Sequence, residues 1–384
     1  MKYRRFGRLD WKPSALGFGA MRLPVIGEDR SNIDEPVAIR MIRHAIDNGV
    51  NYVDTAYMYH NGASELLVGK ALRDGYRERV RLATKMPVRL VNSRDDLDRI
   101  FDDQLRKLQT NRLDFYLFHG LNKEGWEKIK ELRALEWAQG RIAKGEIGHL
   151  GFSFHDNTEV LKDIVDGYDK WTFCQIQYNY VDSEYQAGTE GLKYAASKGL
   201  AVVIMEPIQG GNLAMKPPTE VQAIWDEARI KRTPAEWALQ WVWNQPEVSL
   251  VLSGMSSMEQ VVENLASADR SGPGTLAAEE MEIISRVRQR YLDSGLVGCT
   301  GCRYCQPCPQ DVDVPEILAL YNEHYVRRGN EAALDELKKT REGRVPPERW
   351  VSKCAKCGEC EDKCPQQLPI RSLLEKTSRA FEED

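Results

Sequence analysis

From residue 15 to about residue 255, short apolar runs alternate with longer amphipathic runs. The short runs predict strands, and the longer ones have the periodicity of helices. The helical pattern 36-PVAIRMIRHAIDNG, for example, has a proline in its first turn and stops on Gly49. Eight strand-like runs are found: 15-ALGFGAM, 51-NYVDTA, 80-VRLATKM, 113-LDFYLFH, 147-IGHLGFSF, 173-FCQIQYN, 200-LAVVIMEP and 248-VSLVLSGM.

Eight strand–helix units in roughly 250 residues are the expected size of a closed parallel barrel. The rival is a doubly wound dinucleotide fold, which would need G-x-G-x-x-G between the first strand and its helix. Gly17-Phe18-Gly19 is followed by AMRLP instead, so that fingerprint is incomplete. The sequence therefore predicts an α/β fold with a (β/α)8 TIM barrel. The first residues, YRRFGRLDWKPS, predict a hairpin that turns on Gly7 and plugs the barrel floor.

Two cysteine runs, 299-CTGCRYCQPCP and 354-CAKCGECEDKCP, lie near the end of the chain. The second matches the bacterial ferredoxin pattern C-x₂-C-x₂-C-x₃-C-P, and the first is one residue short in its last gap. Paired zinc sites are the alternative, but zinc needs neither the third cysteine nor the repeated Cys-Pro. We predict two [4Fe–4S] clusters. By the ferredoxin rule, each run shares a cluster with the last cysteine of the other: Cys299, Cys302 and Cys305 with Cys364, and Cys354, Cys357 and Cys360 with Cys308. The short gap of the first run leaves the fourth ligand of one cluster open.

The pattern of the chain changes after 271-SGPGT. One amphipathic helix, at about 276–292, leads into the first cysteine run, and the rest is helical and charged. We therefore predict two domains, a barrel at 1–294 and a small, mainly helical ferredoxin-like domain at 295–384.

Bulk composition excludes some functions. The net charge is −5 and the pI about 5.9, so no nucleic-acid partner is expected. The apolar runs are too short to span a membrane, and the first residues contain no apolar signal segment, so we expect a cytoplasmic protein. Disulfides are disfavoured in that compartment. The ninth cysteine, Cys174, lies in a strand-like run and is expected to serve packing.

Four polar residues stand where predicted strands end: Asp54 and Tyr59 after the second, Lys85 in the third and His119 in the fourth. Each alone has an ordinary structural explanation, such as a helix cap or a packed ring. Together they predict carbonyl reduction. Hydride addition leaves an alkoxide, which Tyr59 would protonate. Lys85 would lower the pKa of Tyr59, Asp54 would keep Lys85 charged, and His119 would orient the carbonyl oxygen.

The stretches 54-DTAYMYHNGASE, 83-ATK and 114-DFYLFH resemble the aldo-keto reductases, NAD(P)H-dependent carbonyl reductases built on this barrel. The resemblance runs from about residue 1 to 270, and the cysteine runs resemble a branch with a ferredoxin-like C-terminal domain. The resemblance to the aldo-keto reductases implies that Ser153 and Gln175 bind the nicotinamide carboxamide. Phe154 replaces the usual asparagine, so that one contact is lost or passes to His155. Met205 would pack on the ring. The pyrophosphate would lie along the following backbone, at Glu206, Ile208, Gly210, Gly211 and Leu213.

The segment 253-SGMSSMEQVVENL resembles the family's nucleotide loop, which implies that Glu263 and Asn264 lie on the adenine. Relatives that prefer NADPH have a basic residue near each end of this loop, where this chain has Gly254 and Gln260. Ser256 and Ser257 can still donate hydrogen bonds to a phosphate, and a helix N-terminus attracts anions. The implied cofactor is therefore NADPH or NADH.

Three functions follow. The first is a reductase that converts small carbonyl substrates to alcohols, with the clusters stabilising the C-terminal domain. The second is an electron-transfer enzyme whose clusters exchange electrons with an external ferredoxin or flavoprotein. The third is a cofactor-binding redox sensor. No flavin motif is present to convert hydride into single electrons.

Overall fold

The computed structural model describes residues 1–327 and 331–382. Its contacts form two compact units. The first comprises Met1–Pro207 and Leu239–Leu276, and the second comprises Ile208–Ala238 and the chain from Ala277 onward. The boundary near residue 295 stays a prediction. Residues 328–330, 383 and 384 of the predicted C-terminal domain lie outside the described part.

Eight parallel strands of the first unit form a closed barrel, which confirms the predicted fold. The barrel closes where the first and last strands pair, and Gly19 at the end of the first strand is in register with both Asp54 and Gly254. The strands are β1 (Leu16–Gly19), β2 (Tyr52–Asp54), β3 (Arg81–Met86), β4 (Leu113–Leu121), β5 (Ile147–Phe154), β6 (Phe173–Gln177), β7 (Ala201–Met205) and β8 (Val248–Gly254).

Helices follow the strands, and their ends agree with local sequence signals. In the first helix, Asp34 accepts a hydrogen bond from the Val37 amide, and Gly49 has φ 95° just beyond the last turn. The helices up to the barrel's last strand are α1 (Glu35–Asp47), α2 (Ala63–Ala71), α3 (Arg94–Leu108), α4 (Lys123–Glu131), α5 (Ala134–Ala143), α6 (Thr158–Asp166), α7 (Gly188–Ser197), α8 (Thr219–Asp226) and α9 (Pro234–Trp243).

The predicted N-terminal plug is confirmed. Antiparallel bridges join Tyr3 to Ser14 and Phe6 to Leu9. The ring of Phe6 is fully buried and contacts the rings of Phe115 and Phe173 at centroid distances of 5.0 and 5.8 Å. Strand residues at the amino ends of the barrel therefore surround the turn, which closes the floor and leaves the carboxyl ends for the site.

After β8 the chain is helical in the parts described, and none of the described helices is long and apolar enough to cross a bilayer. The second unit has its own core, built around Val312, Ile317, Leu318 and Leu374. The helices after β8 are α10 (Met258–Asp269), which belongs to the first unit, and, in the second unit, α11 (Ala278–Asp293), α12 (Val314–Val326), α13 (Glu331–Arg344), α14 (Glu359–Asp362) and α15 (Ile370–Glu382).

Candidate active site and thiol cavities

Asp54 and Lys85 form an ion pair inside the barrel. Asp54 is the last residue of β2, and Lys85 lies one strand away near the end of β3; both side chains are buried. The Lys85 ammonium donates to Asp54 Oδ1 and also to the Thr55 carbonyl at 2.9 Å. A charge in this position requires such partners, because an unpaired ammonium would be strongly disfavoured inside protein.

Tyr59 and His119 lie beside this pair. Lys85 Nζ is 3.4 Å from the Tyr59 hydroxyl, and the rings of Tyr59 and His119 meet edge to face at 5.9 Å. The β4–β5 register shifts between Phe118 and Leu121, so that His119 lies at an irregularity that turns it from the regular ladder. The structure therefore brings together all four predicted catalytic residues.

Burial governs the charges of the site. It raises the pKa of Asp54 and lowers that of Lys85, while the attraction between the two opposes both shifts. The pKa of His119 is lowered well below its ordinary value by desolvation, and then by the positive charge of Lys85. His119 is therefore a neutral imidazole at physiological pH, and an uncharged hydrogen-bond donor or acceptor.

Behind Lys85 lies a buried polar network that the sequence analysis missed. Glu65 Oε1 accepts hydrogen bonds from Thr84 at 2.6 Å and from Gln104 at 2.7 Å. Gln104 also donates to the Lys85 carbonyl at 3.0 Å and accepts from the Tyr116 hydroxyl at 2.7 Å. These bonds hold the end of β3 in place. No local pattern marks them, since they join a strand to two helices.

Of the predicted nicotinamide contacts, Ser153 on β5 and Gln175 on β6 are in register with each other, and both are buried. Gln175 donates to Asp54 Oδ2 at 3.3 Å, and Ser153 Oγ accepts from the Gly120 amide at 2.7 Å. Met205 ends β7, and Glu206 follows it with φ 55°. Gln175 thus bonds directly to Asp54, and Ser153 bonds to the backbone next to His119, whereas their cofactor contacts stay predictions.

The predicted nucleotide loop follows β8. Ser257 caps α10, and Gln260 Oε1 accepts from the Ser256 amide at 2.8 Å. Buried Asn264 donates to Ser253 at 3.1 Å. Gly254 and Glu263 complete the predicted set, and their contacts with a nucleotide are likewise untested.

Arg22, which follows β1, packs against the predicted nucleotide loop, and the sequence did not indicate this contact. Its side-chain carbons lie 3.2–3.3 Å from the position that a Cβ on Gly254 would occupy. The glycine therefore leaves room for the stem of an arginine from the β1–α1 connection. Only the pairing of β1 with β8 brings the two together, so the sequence carries no signal for the contact.

The remaining predicted pyrophosphate residues, Ile208, Gly210, Gly211 and Leu213, belong to the second unit. Gly210 has φ 70°, and a Cβ there would lie 2.4 Å from the Thr300 carbonyl oxygen. Asn212 donates to the Cys299 carbonyl at 3.0 Å. The close approach that Gly210 permits is thus toward the first cysteine run, and the pyrophosphate contacts stay predictions.

The cysteine runs surround two cavities in the second unit, with about 320 and 380 Å³ not filled by protein atoms, part of which is open to solvent. No three Cys, His, Asp or Glu side chains of the described residues converge as ligands of one metal ion. The thiols line the walls of the two cavities. Around the smaller cavity lie Cys299, Cys302, Cys305 and Cys364, and around the larger lie Cys305, Cys308, Cys354, Cys357 and Cys360. Each cavity thus has the four thiols predicted for its cluster.

Polar contacts hold the cavity walls. The Asp313 carboxylate accepts from Arg303, which lies between two cysteines, and from Arg349, each at 3.2 Å. Gln306 joins the short gap of the first run, since it accepts from the Cys308 amide at 3.1 Å and donates to the Val312 carbonyl at 2.8 Å. These contacts fit bound clusters, whose ligands need fixed orientation.

Cys174 lies in β6 and is fully buried, as predicted for a packing residue, and burial raises the pKa of its thiol to about 12. It is therefore an inert thiol rather than a ligand.

His155 provides a pH prediction. Burial lowers its pKa to about 4, against an ordinary value of about 6.5. The unfolded chain therefore takes up a proton between pH 6.5 and 4 that the folded chain does not, so stability falls as pH falls through this window. Relative to His155→Gln, the wild type should lose about 1–3 kcal/mol in anaerobic urea unfolding between pH 7 and 4. The other histidines cancel in the comparison. Parallel curves for the two proteins would contradict the assignment.

Comparison with known proteins identifies the class and then the family. The sequence model of the Aldo/keto reductase family matches residues 15–288, and that of a 4Fe-4S dicluster domain matches residues 298–368. The chain therefore belongs to the aldo/keto reductase family, with a C-terminal 4Fe-4S dicluster domain. The family, together with relatives that are named as oxidoreductases, supports the assignment of this chain as an oxidoreductase.

Among curated relatives, L-galactose dehydrogenase of Arabidopsis thaliana is 27% identical over 286 residues, covering 70% of this chain and 88% of its own. The uncharacterized oxidoreductase YrpG of Bacillus subtilis is 25% identical, covering 71% and 92%. Among solved structures, an aldo-keto reductase from Klebsiella pneumoniae in complex with NADPH is 27% identical with a TM-score of 0.59, covering 75% of this chain and 95% of its own. AKR11C1 from Bacillus halodurans is 28% identical with a TM-score of 0.58, covering 75% and 96%.

Proposed function

We propose that this protein reduces aldehyde or ketone carbonyls to alcohols with NADPH as hydride donor. One observation carries the proposal: the buried Lys85 ammonium lies between the Asp54 carboxylate and the Tyr59 hydroxyl. A structural ion pair needs no phenol beside it, whereas carbonyl reduction needs a proton donor whose anion is stabilised.

Each residue has a part in the reaction. Tyr59 donates its hydroxyl proton to the carbonyl oxygen, and Lys85 stabilises the phenolate that remains. Asp54 keeps Lys85 charged after burial. Neutral His119, whose ring meets that of Tyr59, donates a hydrogen bond to the same oxygen. When bound, a reduced nicotinamide supplies the hydride.

Ser153 and Gln175 suit the nicotinamide carboxamide, because both are buried side chains that can donate and accept hydrogen bonds. NADPH is favoured over NADH because the side-chain carbons of Arg22 pack on Gly254, where the resemblance places a basic residue in NADPH-dependent relatives. The guanidinium follows directly after these carbons in the same side chain. The solved relative from Klebsiella pneumoniae is described with NADPH.

Arg22→Ala is expected to raise the Kd of NADPH about tenfold, since a charge-assisted bond to a phosphate is lost. NADH lacks that phosphate, so its Kd should change much less. Fluorescence titration with both cofactors measures this. Arg40→Ala, an exposed arginine on α1, is the matched control. Equal weakening of both cofactors would contradict the assignment.

A second candidate is electron transfer with an external ferredoxin or flavoprotein, and the exposure of Cys357 favours it. Cys357 lines the larger cavity, so a cluster there lies near the surface of its unit. When bound, the clusters supply one-electron transfer.

The experiment that separates these functions uses anaerobically purified protein with both clusters intact. NADPH oxidation is followed with a panel of small aldehydes and ketones, with and without reduced ferredoxin. Steady turnover without ferredoxin supports the reductase. Turnover only with ferredoxin favours electron transfer, and NADPH binding without turnover of any substrate favours the sensor.

A further inference from the structure

We propose that His60 is a positioning residue that fixes the substrate-side segment Leu23–Arg30 to the turn carrying Tyr59. The proposal goes beyond the four catalytic residues, and its kinetic part rests on the proposed function. It begins with the backbone. His60 follows Tyr59 directly and has φ 52° and ψ 44°, in the left-handed region that side chains other than glycine rarely adopt. Such conformations persist where surrounding contacts enforce them.

Those contacts come from the imidazole ring, which is buried at 4% exposure. The Leu23 amide donates to Nε2 at 3.1 Å, so Nε2 is an acceptor and the ring proton lies on Nδ1. Nδ1 then donates to the Arg30 carbonyl at 2.8 Å. One neutral ring therefore satisfies two backbone groups at the two ends of one segment.

The segment is paired with the residues that follow it, 31–34. The Ile26 amide donates to the Asn32 carbonyl, and the Asp34 amide donates to the Pro24 carbonyl, both at 2.8 Å. Val25 and Ile33 form an antiparallel bridge. Residues 24–34 thus form a small hairpin that leads into α1. His60 binds it at Leu23, just before its start, and at Arg30, near its turn.

The location gives this attachment a function. Leu23 comes four residues after β1 ends, on the carboxyl side of the barrel where active sites of this fold lie. Val25 and Ile26 are 37% and 57% exposed, so the hairpin presents apolar side chains. By joining this hairpin to the turn of Tyr59, His60 sets the distance between the apolar part of a bound carbonyl compound and its proton donor.

The test compares His60→Gly with Asn61→Gly. Glycine adopts the left-handed conformation without penalty, so both substitutions keep the turn. Asn61 has φ 52° as well but is exposed, so its replacement makes the same backbone change without removing a buried ring. His60→Gly should raise KM for the carbonyl about tenfold with little change in kcat, since two hydrogen bonds are lost. Added imidazole should restore KM by filling the vacated space. Asn61→Gly should match the wild type.

Hydrogen exchange tests the attachment independently of turnover. The Leu23 amide should lose protection in His60→Gly and keep it in Asn61→Gly. Unchanged protection in His60→Gly would overturn the proposal, whether or not the wild type reduces carbonyls. Lost protection with an unchanged KM would overturn the kinetic part. A wild type without turnover would contradict the proposed function, and hydrogen exchange would still decide the attachment.

Discussion

Replacing Tyr59 with phenylalanine should lower kcat/KM for carbonyl reduction by about 10²–10⁴, the usual contribution of a general acid. The phenylalanine ring keeps the edge-to-face contact with His119 and removes only the hydroxyl beside Lys85. NADPH binding should persist, because Ser153 and Gln175, the residues proposed to bind the nicotinamide, are unchanged. Steady-state kinetics under anaerobic conditions, with the Kd of NADPH measured separately, checks both statements.

Tyr57→Phe is the matched control for this substitution. Tyr57 lies two residues earlier, and its ring packs under Lys107, whose Nζ is 4.0 Å from the ring centroid. Its hydroxyl has no part in the proposed reaction, so its loss should leave kcat/KM near the wild-type value. Equal activity of Tyr59→Phe and Tyr57→Phe would show that the phenol of Tyr59 is not the proton donor.

Cys364→Ala should reduce the iron content from about eight to about four atoms per chain, because one of two [4Fe–4S] clusters loses its fourth ligand. Cys364 lines the smaller cavity with three cysteines of the first run, although it ends the second run. Cys302→Ala should therefore remove the same cluster, and the double variant should lose no more iron than either single variant. Cys174→Ala should retain all the iron. Iron and sulfide determination with EPR spectra measures this.

Combining Cys364→Ala with Cys308→Ala should abolish both clusters, since Cys308 lines the larger cavity with the second run. The non-additive pair, Cys302 and Cys364, thus identifies thiols that share a cluster, and the additive pair shows that loss of both clusters can be detected. In the rival arrangement each run keeps its own four cysteines. Cys302 and Cys364 would then serve different clusters, and loss of all iron in their double variant would contradict the exchanged pairing.

Much of the fold follows from the sequence because its signals are local. The strand-like run 80-VRLATKM contains β3. The ends of α1 are marked by a proline in its first turn and by Gly49 just beyond its last turn. The convergence of the candidate catalytic residues was predictable for a related reason. Parallel strands bring their carboxyl ends to one face, so side chains at the ends of β2, β3 and β4 meet there.

The rest depends on contacts between distant parts of the chain. No periodic pattern in the sequence indicates the following contacts: Glu65 with Thr84 and Gln104, the side-chain carbons of Arg22 with Gly254, and the ring of His60 with the Leu23 amide. The irregularity that turns His119 depends on strand register, which a single strand does not specify.

The cysteine runs lie between these extremes. Their spacing predicted which thiols would share a cluster, and the two cavities contain those sets. Cys305 lines both cavities, a detail that spacing alone did not indicate, because it depends on how the two runs pack around one core.

Transfer of deuterium tests the central claim most directly. NADPH deuterated at the hydride-donating carbon, in each stereoisomer, is incubated anaerobically with the intact protein and a carbonyl substrate, and the alcohol is analysed by mass spectrometry. We expect one stereoisomer to place its deuterium on the carbinol carbon, since the hydride passes directly. An alcohol that carries only solvent hydrogen there with either stereoisomer would contradict direct hydride transfer.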